Sequence, residues 1–384
     1  MGTPHLDDVD RLILRQLTAD VRITYADLAA RVGLSESQCL RRVRTLERTK
    51  VIQGYITMVD PIALNLPICA FIEVRLHTGH DAQTKRFERA VDQRADVASC
   101  WRTSGDADYL LHAFVADPLG YERLLNALAD IDGVEIIRTH LVLNALKRSP
   151  RFPLHCTGTR PPMGTALSTI GDGAPDRDAN STSTSHPGTS FDSPPAIEPD
   201  EAAPRRCLDE LDRRILRTLA NNGRMSNAVL AERIGLSPAP CLRRVRALEA
   251  AGVIQAYYVV LDLDALDLIG FWVMIRLKTL SPEWHENFAR ALTDVREIMS
   301  VNRTTGASDY ILLCMANGVG GVEQVLANRV FSRPGVNSIQ SALCLRYCNH
   351  VNLEKLHDVA RRTEGASKER SIDVVGQVNT SRKR

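Results

Sequence analysis

The densest chemistry in the chain lies in a hexapeptide, "CLRRVR" at residues 39–44, and in the same six letters at 241–246. Guanidinium groups hydrogen-bond phosphate oxygens in a fixed fork and can pair with guanine edges in a major groove, so arginines on one helical stripe suit duplex DNA. If Cys39, Leu40 and Val43 turn inward at helical spacing, Ser37, Arg41, Arg44 and Arg48 fall on the opposite stripe, flanked by Gln38, Arg42 and Thr45. From 41 to 50 the cations Arg41, Arg42, Arg44, Arg48 and Lys50 meet only Glu47, whereas the second copy sets Arg243, Arg244 and Arg246 against Glu249. On an isolated helix such charges read as a solvated face, and the elements around them decide between the two readings.

Those elements are repeated. Aligning Leu6 with Leu208 sets "LDDVDRLILRQL" against "LDELDRRILRTL", "LAARVGLS" against "LAERIGLS" and "RVRTLERTKVIQGY" against "RVRALEAAGVIQAY"; further on, "RTSGDADYLLH" faces "RTTGASDYILL". Two copies at so long a period indicate tandem domains rather than a solenoid. In the first copy Val9, Leu12 or Ile13, Leu14 and Leu17 follow helical spacing after an acidic first turn. Thr24 and Ser35 stand as N-caps of two further helices, and Gly33 stops the first of these. Two helices joined by a short Gly-containing turn make a helix-turn-helix, with the arginine helix in the recognition position and Ser35 (Ser237 in the second copy) at its mouth. After a connecting strand at 51–59, "ICAFIEVRL", "DAQTKRFERAVDQR", "VASCWRTSG", "DYLLHAFVA", "LGYERLLNALADI" and "GVEIIRTHLVL" read as β, α, β, β, α and β, a ferredoxin-like order that leaves one sheet face needing a partner.

The predicted fold class is therefore α+β, as two tandem units, each a three-helix winged-type helix-turn-helix followed by a βαββαβ domain. The expected boundaries are 1–60 and 61–150 for the first unit and 205–262 and 263–358 for the second. The segment 151–204, rich in Pro, Gly, Ser, Thr and Asp, reads as a disordered linker reaching about 40 Å, enough for the copies to pack together. The tail 359–384 is expected to be disordered as well.

The remaining composition mostly excludes. With 384 residues, 44% hydrophobic and 24% charged, the chain is long enough for sizeable cores, and a net charge of only +2 means that any polyanion-binding surface is local. The absence of a long apolar run or of a signal-like N-terminus predicts a cytoplasmic protein with no membrane partner. Nine cysteines without a CxxC pair read as reduced, buried thiols. The histidines are scattered, "CLRYCNH" (344–350) lacks a second cluster to complete a zinc site, and "GVGGVE" (318–323) lacks the strand and spacing of a dinucleotide loop. No catalytic residue, metal or cofactor is expected.

A helix-turn-helix containing "GLSPAPCLRRVRALEAAGVIQAY", a strand, and a βαββαβ domain with "GDADY" between its second and third strands together resemble the leucine-responsive regulatory protein/AsnC family of transcription regulators, over about 6–147 and 208–357. The resemblance implies double-stranded DNA as partner, and a small effector, commonly an amino acid, bound near the GDxDY turn. The implied effector residues are Thr103, Ser104, Gly105, Asp106, Asp108 and Tyr109, with Gly306, Asp309 and Tyr310 in the second copy, where Ala307 replaces the first aspartate. Bare glycine N–H groups suit a carboxylate and aspartate suits an ammonium, though Gly and Asp also build ordinary turns. Family members usually pair as single units, so this chain resembles a covalent dimer, an intrachain pseudo-dimer expected to assemble further with copies of itself. Two other readings share the architecture: a siroheme-decarboxylase-like enzyme, and a metabolite-binding module that does not bind DNA.

Overall fold

A computed structural model describes residues 6–77, 81–149, 208–278 and 281–349. The expected linker and tail lie outside the described residues, as do Cys156 and Cys207.

Each copy begins with three helices: α1 (Asp8–Ala19), α2 (Tyr25–Val32) and α3 (Glu36–Arg48) in the first, and α6 (Glu210–Asn221), α7 (Asn227–Ile234) and α8 (Pro238–Ala250) in the second. Asp7 caps α1 by accepting the Asp10 amide at 2.7 Å. Thr24 and Ser35 cap α2 and α3, and Gly33 ends α2 in the left-handed conformation expected of a C-terminal glycine. In α8 Pro238 takes the first turn, where its missing N–H costs nothing. Ile13, Leu14 and Leu17 of α1 and Cys39, Val43 and Leu46 of α3 are buried; Leu40 and Leu12 are only half-buried.

The strand after each head does more than connect. β1 (Ile52–Val59) and β6 (Ile254–Leu261) pair antiparallel, with Ile56 opposite Tyr258, in a ribbon shared by the two units. Beyond it, β2 (Ile68–Leu76), α4 (Asp81–Asp92), β3 (Val97–Thr103), β4 (Tyr109–Val115), α5 (Pro118–Ala129) and β5 (Val134–Arg148) form the first ferredoxin-like domain. The second comprises β7 (Leu268–Leu277), α9 (Pro282–Thr293), β8 (Ile298–Thr304), β9 (Tyr310–Asn317), α10 (Gly318–Val325), which runs on into a π-helical turn at Leu326–Phe331, and β10 (Val336–Asn349).

The sheets close on each other. β5 pairs with β2 through Leu141 and then, from Val142 onward, with β8 of the second unit. β10 pairs with β7 through Leu343 and from Cys344 with β3 of the first. The result is an eight-stranded barrel in the order β10-β3-β4-β2-β5-β8-β9-β7. The sheet faces that needed cover become its interior, filled by Phe71, Leu110, Trp272, Met274 and Ile311, with Trp101 edge-on to Trp272 at 4.8 Å between ring centroids.

The heads are exchanged. The second head's core (Ile215, Leu219, Leu230, Val245, Leu248) is continuous with Leu64, Leu66, Cys69 and Phe114 of the first unit. The first head's core (Ile13, Leu17, Leu28, Val43) is continuous with Leu261, Leu266 and Leu268 of the second. Leu66 and Leu266 are each 1% exposed; burying such a side chain is worth about 2 kcal/mol, so neither head completes its core within its own unit.

Candidate DNA-binding face and effector turns

On α3 the side chains of Ser37, Gln38, Arg41, Arg44 and Arg48 are exposed, as are Arg243 and Arg246 on α8. Ser35 and Gln38 form a reciprocal capping box, the Gln38 amide donating to Ser35 Oγ at 3.4 Å and the Ser35 amide to Gln38 Oε1 at 3.2 Å. Ser237, also exposed, occupies the matching N-cap without a side-chain cap bond. Arg42 and Arg244 behave differently from their neighbours. Arg42 Nη1 donates to Asp7 Oδ2 at 2.7 Å and to Asp10 Oδ1 at 2.8 Å, and Arg244 Nη1 repeats the clamp on Asp209 and Asp212 at the same distances. In both heads this arginine folds back to tie the recognition helix to the N-terminus of the first helix. The amide of Asp212, and then Arg244 itself, hold the Asp209 carboxyl below the usual carboxylate range.

Arginines at one position of both repeats, Arg22 and Arg224, lock the two heads to each other. Arg22 reaches across to the Tyr257 hydroxyl and Asn227 Oδ1, both at 2.9 Å. Arg224 donates to the carbonyls of Val21 at 2.7 Å and Ile23 at 3.2 Å and lies over the rings of Tyr25 and Tyr55. The Tyr257 hydroxyl in turn donates to Glu249 Oε1 at 2.6 Å, and burial followed by that carboxylate pushes its pKa up. Arg22, Tyr25, Arg224, Asn227 and Glu249 line a cleft of about 560 Å³ between the heads, together with Arg246 of the recognition face. Sequence reasoning passed over Arg22 and Arg224; their recurrence outside the arginine-rich helices, in "VRIT" and "GRMS", was the available signal.

The two GDxDY-type turns lie where one unit's sheet meets the other's long strand. Ser104 donates its amide to Leu343 O at 3.0 Å and accepts the Leu343 amide on Oγ at 2.9 Å, while the Thr305 amide donates to Leu141 O at 2.9 Å. Asp108 and Asp309 support the backbone, their carboxylates accepting the amides of Leu76 at 2.7 Å and Leu277 at 2.8 Å. Thr103 is buried and donates Oγ1 to Ala107 O, and Tyr109 is buried with its hydroxyl on Glu88 Oε1 at 3.0 Å. Tyr310 bonds His285 instead, at 2.9 Å. Gly105 and Gly306 both have φ near +100°. At Gly306 a Cβ would come within 2.9 Å of Thr139 O, so glycine is required there for contact as well as conformation. Asp106 alone among the turn carboxylates faces across the seam, accepting from Gln340 Nε2 at 3.2 Å with Arg138 Nη2 at 3.8 Å.

A polar chain runs from the Asp106 turn toward the Gly306 turn, buried at Glu73 and His140. Arg138 Nη1 donates to Glu73 Oε2 at 3.1 Å and to Gln340 Oε1 at 3.1 Å, and Glu73 Oε1 lies 2.8 Å from His140 Nε2. Glu73 and His140 are at most 2% exposed, and His140 Nδ1, without a hydrogen-bond partner among the described residues, lies 3.8 Å from where a Cβ on Gly306 would sit. The equivalent positions in the second unit, Met274 and Ala342, hold no such pair. Among the described residues no His, Cys, Asp and Glu group is arranged to hold a metal, and no helix is long and apolar enough to cross a membrane.

Comparison with known proteins places these features. The sequence pattern of the Lrp/AsnC ligand binding domain matches residues 69–152 and 271–350, that of the AsnC-type helix-turn-helix domain residues 6–47, and that of a winged helix-turn-helix DNA-binding domain residues 208–255. The leucine-responsive regulatory protein of Escherichia coli strain K12 is 40% identical over 148 residues, which are 38% of this chain and 90% of that protein. Among solved structures, a transcriptional regulator from Neisseria meningitidis in complex with L-Met is 31% identical over 38% of this chain and 94% of its own, with a TM-score of 0.35. The siroheme decarboxylase NirDL covers 94% of this chain and 100% of its own at a TM-score of 0.54 and 10% identity, a likeness of fold alone.

Proposed function

Since the chain belongs to the Lrp/AsnC family, we propose that it is a fused pair of that family's units, a transcription regulator that grips one DNA duplex with both recognition helices and is modulated by an amino acid or similar metabolite. The observation that carries this reading is the exposed arginine stripe on each recognition helix, Arg41, Arg44 and Arg48 on one and Arg243 and Arg246 on the other, on heads locked together by Arg22 and Arg224. Fixed spacing between two such helices is what a pair of half-sites along a groove demands. Ser35, Ser37, Gln38 and Ser237 sit at the helix mouths, where hydroxyl and amide groups can reach phosphate or base edges. Arg42 and Arg244 act at one remove, by holding the helices in place.

The effector is assigned to the seam around Ser104, Gly105 and Asp106, where an acceptor for an ammonium lies beside exposed backbone. The Gly306 turn, lacking that carboxylate, is the weaker or differently selective site. A cytoplasmic location on the nucleoid and assembly of several chains belong to the same reading. Genomic footprinting with and without pooled amino acids tests it: protected sites whose occupancy responds to one amino acid support the regulator. Absence of any salt-dependent duplex binding would contradict it, and tetrapyrrole absorbance in the purified protein would favour an enzyme like the decarboxylase that shares the fold.

A further inference from the structure

The barrel closes through two seams, β5–β8 and β10–β3, which differ at several matched positions, one pair of which places two sulfurs together. At the first seam the corresponding Leu146 and Val301 are aliphatic, both packed in the second unit's core. At the second the same positions are Cys348 and Cys100. Tyr347 pairs with Trp101 and Asn349 with Cys100, and Cys348 is the extra residue of the bulge between them, packed on the cluster that contains Cys100 and hydrogen-bonded to its thiol.

We propose that Cys348 and Cys100 are a redox-responsive thiol pair that forms a reversible disulfide across this seam on exposure to a hydroperoxide. Cys348 is half-exposed while Cys100 is buried, so an oxidant reaches the first sulfur and the second resolves it. The hydrogen bond from Cys100 holds the Cys348 thiol below its ordinary pKa, outweighing burial, and that same bond, with burial, pushes Cys100 up. Glu88 Oε1 accepts from the Cys348 thiol at 3.6 Å and opposes its ionisation, while Arg346, whose Nη2 lies 2.7 Å from Glu88 Oε2, favours it.

The chemistry balances without a further reactant. The Cys348 thiolate attacks one peroxide oxygen, the O–O bond breaks, and the other oxygen leaves as alcohol or water after taking a proton; Cys348 becomes a sulfenic acid. The Cys100 sulfur gives up its proton and displaces the sulfenic hydroxyl, which leaves as water, and the S–S bond forms. Two thiols are oxidised and one peroxide is reduced. The bond joins β3 of one unit to β10 of the other beside Glu88, which also holds the Tyr109 hydroxyl of the effector turn.

The full-length protein is treated with stoichiometric hydrogen peroxide, remaining thiols are alkylated, and tryptic peptides are mapped without reduction. The expected product is peptide 95–102 joined to peptide 347–355, lost on adding dithiothreitol, with loss of alkylation at both cysteines. In Cys100→Ser the expected outcome is accumulation of a dimedone-trapped sulfenic acid at Cys348. Peroxide that leaves both thiols free to alkylate, or that joins either to another cysteine or to a second chain, overturns the proposal. Because the first measurement uses the unaltered protein, poor folding of a variant cannot obscure it.

Discussion

The division of labour among the arginines of α3 makes a sharp prediction. Arg41 and Arg44 are exposed, whereas Arg42, one residue away, is clamped at 2.7 and 2.8 Å between Asp7 and Asp10, the latter only 16% exposed at its side chain. If the first two each neutralise a phosphate, replacing both with Ala should lower the slope of log affinity against log salt by about 1.8, at about 0.9 per contact. Between roughly 50 and 200 mM salt the parent should then lose about tenfold more affinity than the double variant. Arg42→Ala should leave that slope unchanged and instead destabilise the head by about 1 kcal/mol, the worth of a partly exposed double ion pair that also braces a helix start. Fluorescence anisotropy on one duplex at four or five salt concentrations, paired with denaturant titration, reads both quantities. Equal flattening by Arg42→Ala and Arg44→Ala would refute the reasoning, because it would mean the clamp opens on DNA.

Other outcomes follow from the seams and the cores. His112 is stacked on Phe71 at 4.6 Å, and burial, then Arg148, pushes its pKa down to about 3, so it remains neutral in the fold. The unfolded chain gains a proton below pH 6.5 that the folded one refuses, and stability present above that value is lost as pH falls toward 3. His112→Leu, matching Leu313 of the second unit, should recover about 2 kcal/mol at pH 5 and nothing at pH 7.5 in denaturant titrations; equal acid losses in parent and variant would count against this. In calorimetry, Asp106→Ala should remove most binding of a zwitterionic effector while Ala307→Asp retains or adds it; two equivalent sites in the parent, lost equally on changing Asp106 or Asp309, would assign the ligand to the turn backbone. Protease cleavage between 157 and 204 should leave the halves co-eluting on size exclusion, since they share the β1–β6 ribbon, both barrel seams and the exchanged head cores.

The local elements were legible because their causes are local. Ser35 and Thr24 mark helix starts, Gly33 a helix end, and the apolar spacing from Ile13 to Leu17 one buried face. The apolar run in "ICAFIEVRL" announced a strand, but the second half of β5, Val142–Arg148, carries no such pattern, and its partner is β8, more than 150 residues on. The exchange of heads was hidden for the same reason: Leu64 and Leu66 are plainly buried residues, and nothing nearby in sequence says against what. Within the candidate sites the limit is finer. Arg42 and Arg44 are the same residue type on one helix, and only the fold brings Asp7 and Asp10 to one of them. Asp106 and Asp108 likewise shared one motif until the backbone amide of Leu76 claimed the second.

In a homodimer every substitution is made twice, and a residue on the two-fold axis meets its own copy. Here the two halves of the barrel are parts of one gene product, so each change falls once and symmetry binds neither half. The buried Glu73–His140 pair has Met274 and Ala342 as its mirror image, the thiols of one seam have Leu146 and Val301, and Arg48 has Ala250. A charge, a sulfur or a cavity that would be ruinous in duplicate can persist singly, and one half can drift toward sensing while the other keeps the frame.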